Sequence, residues 1–135
     1  MSTKMFVNLP VSDLEKSIAF FTALGFAFNP QFTDDKAGCL VVGEDNFVML
    51  LTEPYFRSFT GRPVPDTAVS TEAIVALGLG SRQDVDRVAD AALAAGGVRA
   101  QTTEDQDVMY TRSFYDLDGH HWEVFSLDAA AAGQD

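Results

Sequence analysis

The residues with most chemical potential lie near the end of the 135-residue chain, in the run Ser113-Phe-Tyr-Asp-Leu-Asp-Gly-His-His-Trp-Glu-Val-Phe125. Its Asp118-Gly119 pair, set between two alternating, aromatic-rich arms, predicts a β-hairpin. On the second arm the strand period of two puts His121, Glu123 and Phe125 on one face and Trp122 and Val124 on the other. Glu123 needs a reason to be there. A carboxylate between Trp122 and Val124 either faces solvent or stands in a cavity, where it accepts hydrogen bonds, ligates a cation or serves as a general base. His121 shares its face and has two readings, a ligand-facing ring or a buried one with a nitrogen on a backbone carbonyl. His120 falls at the turn and reads as solvated. Arg112 shares a face of the first arm with Tyr110 and Phe114. It reads as a counter-ion for Glu123, a grip for an anionic ligand, or an exposed salt-bridging side chain.

The elements that must position these residues follow a repeated order. Residues 5–11 form a short apolar run in which Pro10, lacking an N–H, suits a strand end or sheet edge. Ser12-x-x-Glu15 has the form of a capping box, Leu14, Ile18, Phe21 and Leu24 recur on one helical face, and Gly25 supplies the stop. Residues 26–32, 38–42 and 46–52 then read as strands. The order returns with a strand over 73–79 and a helix over 84–95, whose Val85, Val88, Ala92 and Ala95 point inward before Gly96-Gly97. Strands over 98–102, 108–114 and 121–127 complete it. Laying Asp13 on Asp84 brings Lys16 onto Arg87 and Gly25 onto Gly96. The pattern predicts an α+β fold of two βαβββ modules from an internal duplication, with paired sheets enclosing a shared cavity. Module 1 is expected over about residues 4–53 and module 2 over about 72–128. Together they make a single domain over 1–128, followed by a flexible tail over 129–135. The connection, residues 54–71, carries Tyr55, Phe56 and Phe59 among Pro54, Gly61, Pro63 and Pro65. Those aromatics cover the cavity mouth, meet a partner subunit or fold back on their own core.

A net charge of −11 and a pI near 4.3 argue against nucleic acid and anionic membrane surfaces as partners. The single cysteine, Cys39, rules out an internal disulfide framework, suits a reducing compartment and reads as a buried strand thiol. No apolar stretch suits a signal peptide or a membrane span, so the expected location is the cytoplasm.

Asp116-Leu-Asp-Gly-His-His-Trp-Glu123, together with Val11-Ser-Asp-Leu-Glu-Lys-Ser17, Phe20-Phe21 and Leu24-Gly25-Phe26, resembles the vicinal-oxygen-chelate superfamily of glyoxalases, extradiol dioxygenases and bleomycin-resistance proteins. The resemblance covers both ends of the chain. It implies that metal-dependent members carry ligands on the first and last strands of each module. Here those positions fall on Phe6, Leu50, Val75 or Leu77, and Glu123. Only Glu123 can bind a cation, with His121 and Asp116 as conceivable helpers, and an open catalytic zinc site takes about three protein ligands. No metal site and no cofactor are therefore expected, a divalent metal being the alternative. The expected function is that of a small-molecule binding protein of the bleomycin-resistance type. Its ligand would meet Phe6, Asn8, Leu50, Arg112, His121 and Glu123, with Phe56 or Phe59 as cover. The alternative is a metal-dependent or general-base lyase, isomerase or dioxygenase of the glyoxalase type with Glu123 as the catalytic candidate. The resemblance also implies a homodimer.

Overall fold

In the first half of the chain, β1 (Met5–Val11) and β4 (Asn46–Thr52) run parallel at the edge of a sheet ordered β1-β4-β3-β2, with β2 at Ala27–Phe28 and β3 at Ala37–Val41. The computed structural model describes residues 3–100, 104–105 and 109–127, so the expected tail and parts of two expected strands lie outside the described residues. Helix α1 (Leu14–Ala23) crosses one face of this sheet. Its cap is Asp13 rather than the expected Ser12: the Asp13 carboxylate accepts the Lys16 N–H at 3.1 Å, satisfying a first-turn donor that the helix leaves open. Leu14, Phe20, Phe21 and Leu24 are buried, and a fully buried phenylalanine contributes roughly 1.5–3 kcal/mol. Strand β2 is two residues long, against the seven expected over 26–32. Asn29 accepts the Gln31 N–H at 2.9 Å and Pro30 opens a 3-10 turn over Pro30–Phe32, so the ladder ends there.

The second half repeats the plan. Strand β5 (Ile74–Gly78) runs parallel to β9 (His121–Leu127) in the order β5-β9-β8-β6, with β6 at Val98–Arg99 and β8 at Met109–Tyr115. An additional strand, β7 (Glu104–Asp105), also pairs with β8. The second long helix, Arg82–Ala94, follows β5 and is capped by Ser81, whose hydroxyl oxygen accepts the Asp84 N–H at 3.1 Å. Its Val85, Val88, Ala89 and Ala92 are buried, as are Phe114, Trp122 and Val124. Phe114 and Trp122, partners in the β8–β9 ladder, stack with centroids 6.5 Å apart. Both long helices end at a glycine in the left-handed region, Gly25 at φ 99° and Gly96 at φ 111°, as the repeat predicts.

The chain is thus α+β, made of two βαβββ modules, and it divides into two compact units, Met1–Asp66 and Thr67–Asp135. Between the modules the sequence reading missed a short helix, Glu53–Arg57, which takes the label α2; the helix Arg82–Ala94 is α3. Pro54 in the first turn of α2 is a favoured position, since a first-turn N–H has no partner within the helix. Among the described residues no helix is long and apolar enough to cross a membrane.

Candidate functional site

Each sheet has one face against its helix and one face turned away from it. In the first unit Gly38 marks the helix side: a Cβ placed on it would lie 3.3 Å from Ile18 of α1. Leu50 pairs with Gly38 and Leu9, so it belongs to the α1 side and is fully buried there. This corrects the expectation that Leu50 shares a ligand-facing surface with Phe6 and Asn8. The opposite face carries Phe6, Asn8 and Pro10 on β1, paired with Phe47, Met49 and Leu51 on β4. The Phe6 and Phe47 rings stack at 4.7 Å, and Phe6 remains 47% exposed. Cys39 pairs with Met49, is fully buried, and has its thiol pKa raised by burial.

Helix α2 packs against β1 and β4. A cleft of about 410 Å³ is lined by Asn8, Leu51, Phe56, Phe59 and Thr60, bringing together three residues named from sequence, Asn8, Phe56 and Phe59. Tyr55 meets Phe59 edge to face at 4.9 Å, which braces the exposed Phe59 ring. The lining is mostly apolar. Its amide is Asn8, whose Nδ2 donates to the Phe6 carbonyl at 3.2 Å and whose oxygen is left for another donor.

In the second unit the helix side of the sheet carries Val75 and Leu77, which pair with Trp122 and Val124. The other side carries His121, Glu123 and Phe125 on β9, with Ile74, Ala76 and Gly78 beside them on β5 and Tyr115, Ser113 and Thr111 on β8. Glu123 therefore sits between two small residues, Ala76 and Ser113, and is half-buried. It makes no hydrogen bond or ion pair with another described residue. His121 is 5% exposed, lies 5.3 Å from the Tyr115 ring, and has a buried Nε2 with no hydrogen-bond partner.

Two side chains considered near Glu123 turn elsewhere. Arg112 pairs with Val124, on the α3 side, and its guanidinium donates to Asp86 at 3.0 Å and Asp90 at 2.8 Å on α3. It is neither the counter-ion of Glu123 nor an exposed side chain, being 13% exposed. The Tyr110 hydroxyl also donates to Asp86 at 2.7 Å, and this bond, helped by Arg112, holds the Asp86 carboxyl below its usual range. Asp116 accepts the indole N–H of Trp122 at 2.9 Å, which fixes it to the hairpin rather than to the face of Glu123. Its other oxygen accepts the N–H groups of Asp118 and His120, at 2.9 and 3.0 Å. The motif Asp-x-Asp-Gly carried this signal, since an aspartate bonding the N–H two residues on is a standard turn device. Thr67 donates its hydroxyl to the Asp118 carbonyl and ties the segment entering the second unit to the same turn.

Two βαβββ modules, each a mixed four- or five-stranded sheet with one long helix, define a protein of the glyoxalase fold. The chain belongs to the vicinal-oxygen-chelate superfamily, the glyoxalase, bleomycin-resistance and dioxygenase family. Residues 3–43 match the family described as bleomycin resistance protein-like N-terminal. A solved structure of hypothetical protein SA1046 from S. aureus is 31% identical, covers 93% of this chain and 95% of its own, and superposes with a TM-score of 0.78. A glyoxalase/bleomycin resistance protein/dioxygenase family enzyme from Burkholderia phytofirmans is 13% identical over 94% of this chain and 100% of its own, TM-score 0.76. Genomically encoded fosfomycin resistance protein, FosX, from Listeria monocytogenes, complexed with Mn(II) and sulfate, is 18% identical over 93% of this chain and 90% of its own, TM-score 0.65. No curated protein matches the sequence.

Within each unit the described residues offer few ligands for a divalent cation. Among the described residues no three His, Cys, Asp or Glu side chains gather closely enough to share an ion. The β5 residue opposite Glu123 is Ala76, a correction of the expected Val75 or Leu77. The outward residues of β1 and β4 in the first unit offer only Asn8 and the thioether of Met49 as donors. Hard or borderline cations need about three or more well-placed N, O or S ligands.

Proposed function

We propose that the chain is a small-molecule binding protein of its superfamily that works without a resident metal, and that the cleft beneath α2 takes the apolar body of its ligand. One observation carries this reading: Phe56, Phe59 and Leu51 wall a cleft of about 410 Å³ in which Asn8 offers an orienting carbonyl oxygen. A mostly apolar concavity with few polar groups is the usual form of a ligand site. The chain's net charge of −11 favours neutral or cationic compounds over anions.

The test is calorimetric titration with indole, a neutral aromatic carrying one N–H donor, after treatment of the protein with chelator. Binding is expected to survive chelation, with elemental analysis giving no stoichiometric metal. Phe56→Ala is expected to weaken binding about tenfold, the order expected for a contacting aromatic ring, without moving the urea midpoint. Indole affinity that vanishes on chelation, or that ignores Phe56→Ala, contradicts the proposal.

A further inference from the structure

His121 is the one described side chain with a buried polar atom that lacks any partner, its Nε2. Buried polar groups in native folds are almost always paired, and each exception asks for a missing group to pair with it. The ring is 5% exposed, and its contact with Tyr115 at 5.3 Å fixes its place on β9. It shares its side of the sheet with Glu123, two residues on, a strand separation of about 7 Å. Small neighbours leave that carboxylate room, Ala76 on one side and Ser113 on the other.

We propose that His121 is a specificity-determining ligand contact: its Nε2 takes a neutral hydroxyl while Glu123 takes a cationic amine of the same compound. A hydroxyl suits Nε2 because it both donates and accepts, and so pairs with the imidazole whichever ring nitrogen carries the proton. An anion is disfavoured there by the carboxylate two residues away. A ligand lacking the hydroxyl leaves Nε2 as it stands and gains nothing from it. The class is therefore small aromatic or apolar amines bearing a hydroxyl about one strand repeat from the nitrogen. The inference rests on the reading of the protein as a small-molecule binder, but on residues other than those of the α2 cleft.

The test compares tyramine with phenethylamine, which lacks the hydroxyl, on the full chain. Tyramine is expected to bind about tenfold tighter, the worth of one good hydrogen bond to an otherwise unpaired buried group. The ratio is expected to fall to about one in His121→Leu and to persist in His121→Gln, whose amide reaches where Nε2 lies. In the wild type the Nε2 nitrogen resonance is expected to shift on adding tyramine and hardly at all on adding phenethylamine, a readout independent of how the variants fold. Equal affinities in the wild type, no binding of tyramine, or a ratio that survives His121→Leu overturns the inference. If indole binding stays sensitive to Phe56 while tyramine shows no preference, the inference fails alone. If indole binding fails, the reading beneath it fails.

Discussion

Asp116→Ala is expected to cost about 3 kcal/mol, the largest loss from any single polar substitution considered. The carboxylate is acceptor to three donors at once: the Trp122 indole at 2.9 Å and the backbone N–H groups of Asp118 and His120 at 2.9 and 3.0 Å. Trp122 is fully buried, so its indole cannot turn to water when that acceptor goes, whereas the turn N–H groups can recover part of their hydration. Losing the partner of a buried donor costs about 1–3 kcal/mol. Asp116→Asn is expected to cost less, because the amide oxygen can keep the backbone bonds while its NH₂ opposes the indole N–H. Trp122 is the only tryptophan, so its fluorescence during urea unfolding reads the second unit directly. A loss below about 1 kcal/mol in Asp116→Ala would show that the hairpin does not depend on this network.

The same residue sets a pH dependence. Burial raises the Asp116 carboxyl above its ordinary value, against the opposing pull of His120, the Trp122 indole and the backbone N–H groups of His120 and Asp118. With the folded value above the unfolded one, this contribution to stability is complete below about pH 3.9 and fades as pH rises through the folded value. The stability gap between wild type and Asp116→Asn should therefore widen as the pH is lowered towards about 4.

Glu123→Leu is expected to leave the thermal midpoint unchanged or higher while lowering tyramine affinity at least about tenfold, the order of a lost charge-assisted hydrogen bond. The carboxylate is half-buried with no bond to another described residue, so its removal strands no partner in the fold. Leucine has similar reach and adds apolar contact, but offers nothing to a ligand's ammonium. Phenethylamine should lose affinity in the same proportion, since both amines use the carboxylate. Unfolding of Glu123→Leu with tyramine affinity intact would make Glu123 a structural residue and remove it from the site.

Strands β1, β4 and β9 were legible to the residue, because short apolar runs lie beside Pro10, the turn residues before Asn46 and the Asp118-Gly119 turn. The duplication was legible too, since Gly25 and Gly96 mark the same helix stop in both modules. Which face a residue occupies was harder. The superfamily resemblance put Leu50 and Glu123 at corresponding last-strand positions, yet Leu50 packs towards α1 while Glu123 lies on the side away from α3. A slip of one residue between modules reverses every side chain, and a drifted repeat cannot fix that parity from sequence. Ala76 replaced Val75 and Leu77 opposite Glu123 for the same reason. Arg112 was grouped with Tyr110 and Phe114 from sequence, but its partners Asp86 and Asp90 belong to α3, and only the packed helix brings them to it. Helix α2 was missed because five residues with little periodicity give no pattern, although Pro54 in its first turn was a usable signal.

The most direct test of the binding reading is an amide nitrogen–proton chemical-shift titration of the full chain with indole. Saturable shifts are expected to concentrate at Asn8, Leu51, Phe56, Phe59 and Thr60, the residues that line the cleft, and to be absent from the α1-facing Leu50. Shifts that never saturate, or that leave those five amides unmoved, would contradict the cleft beneath α2 as the ligand site.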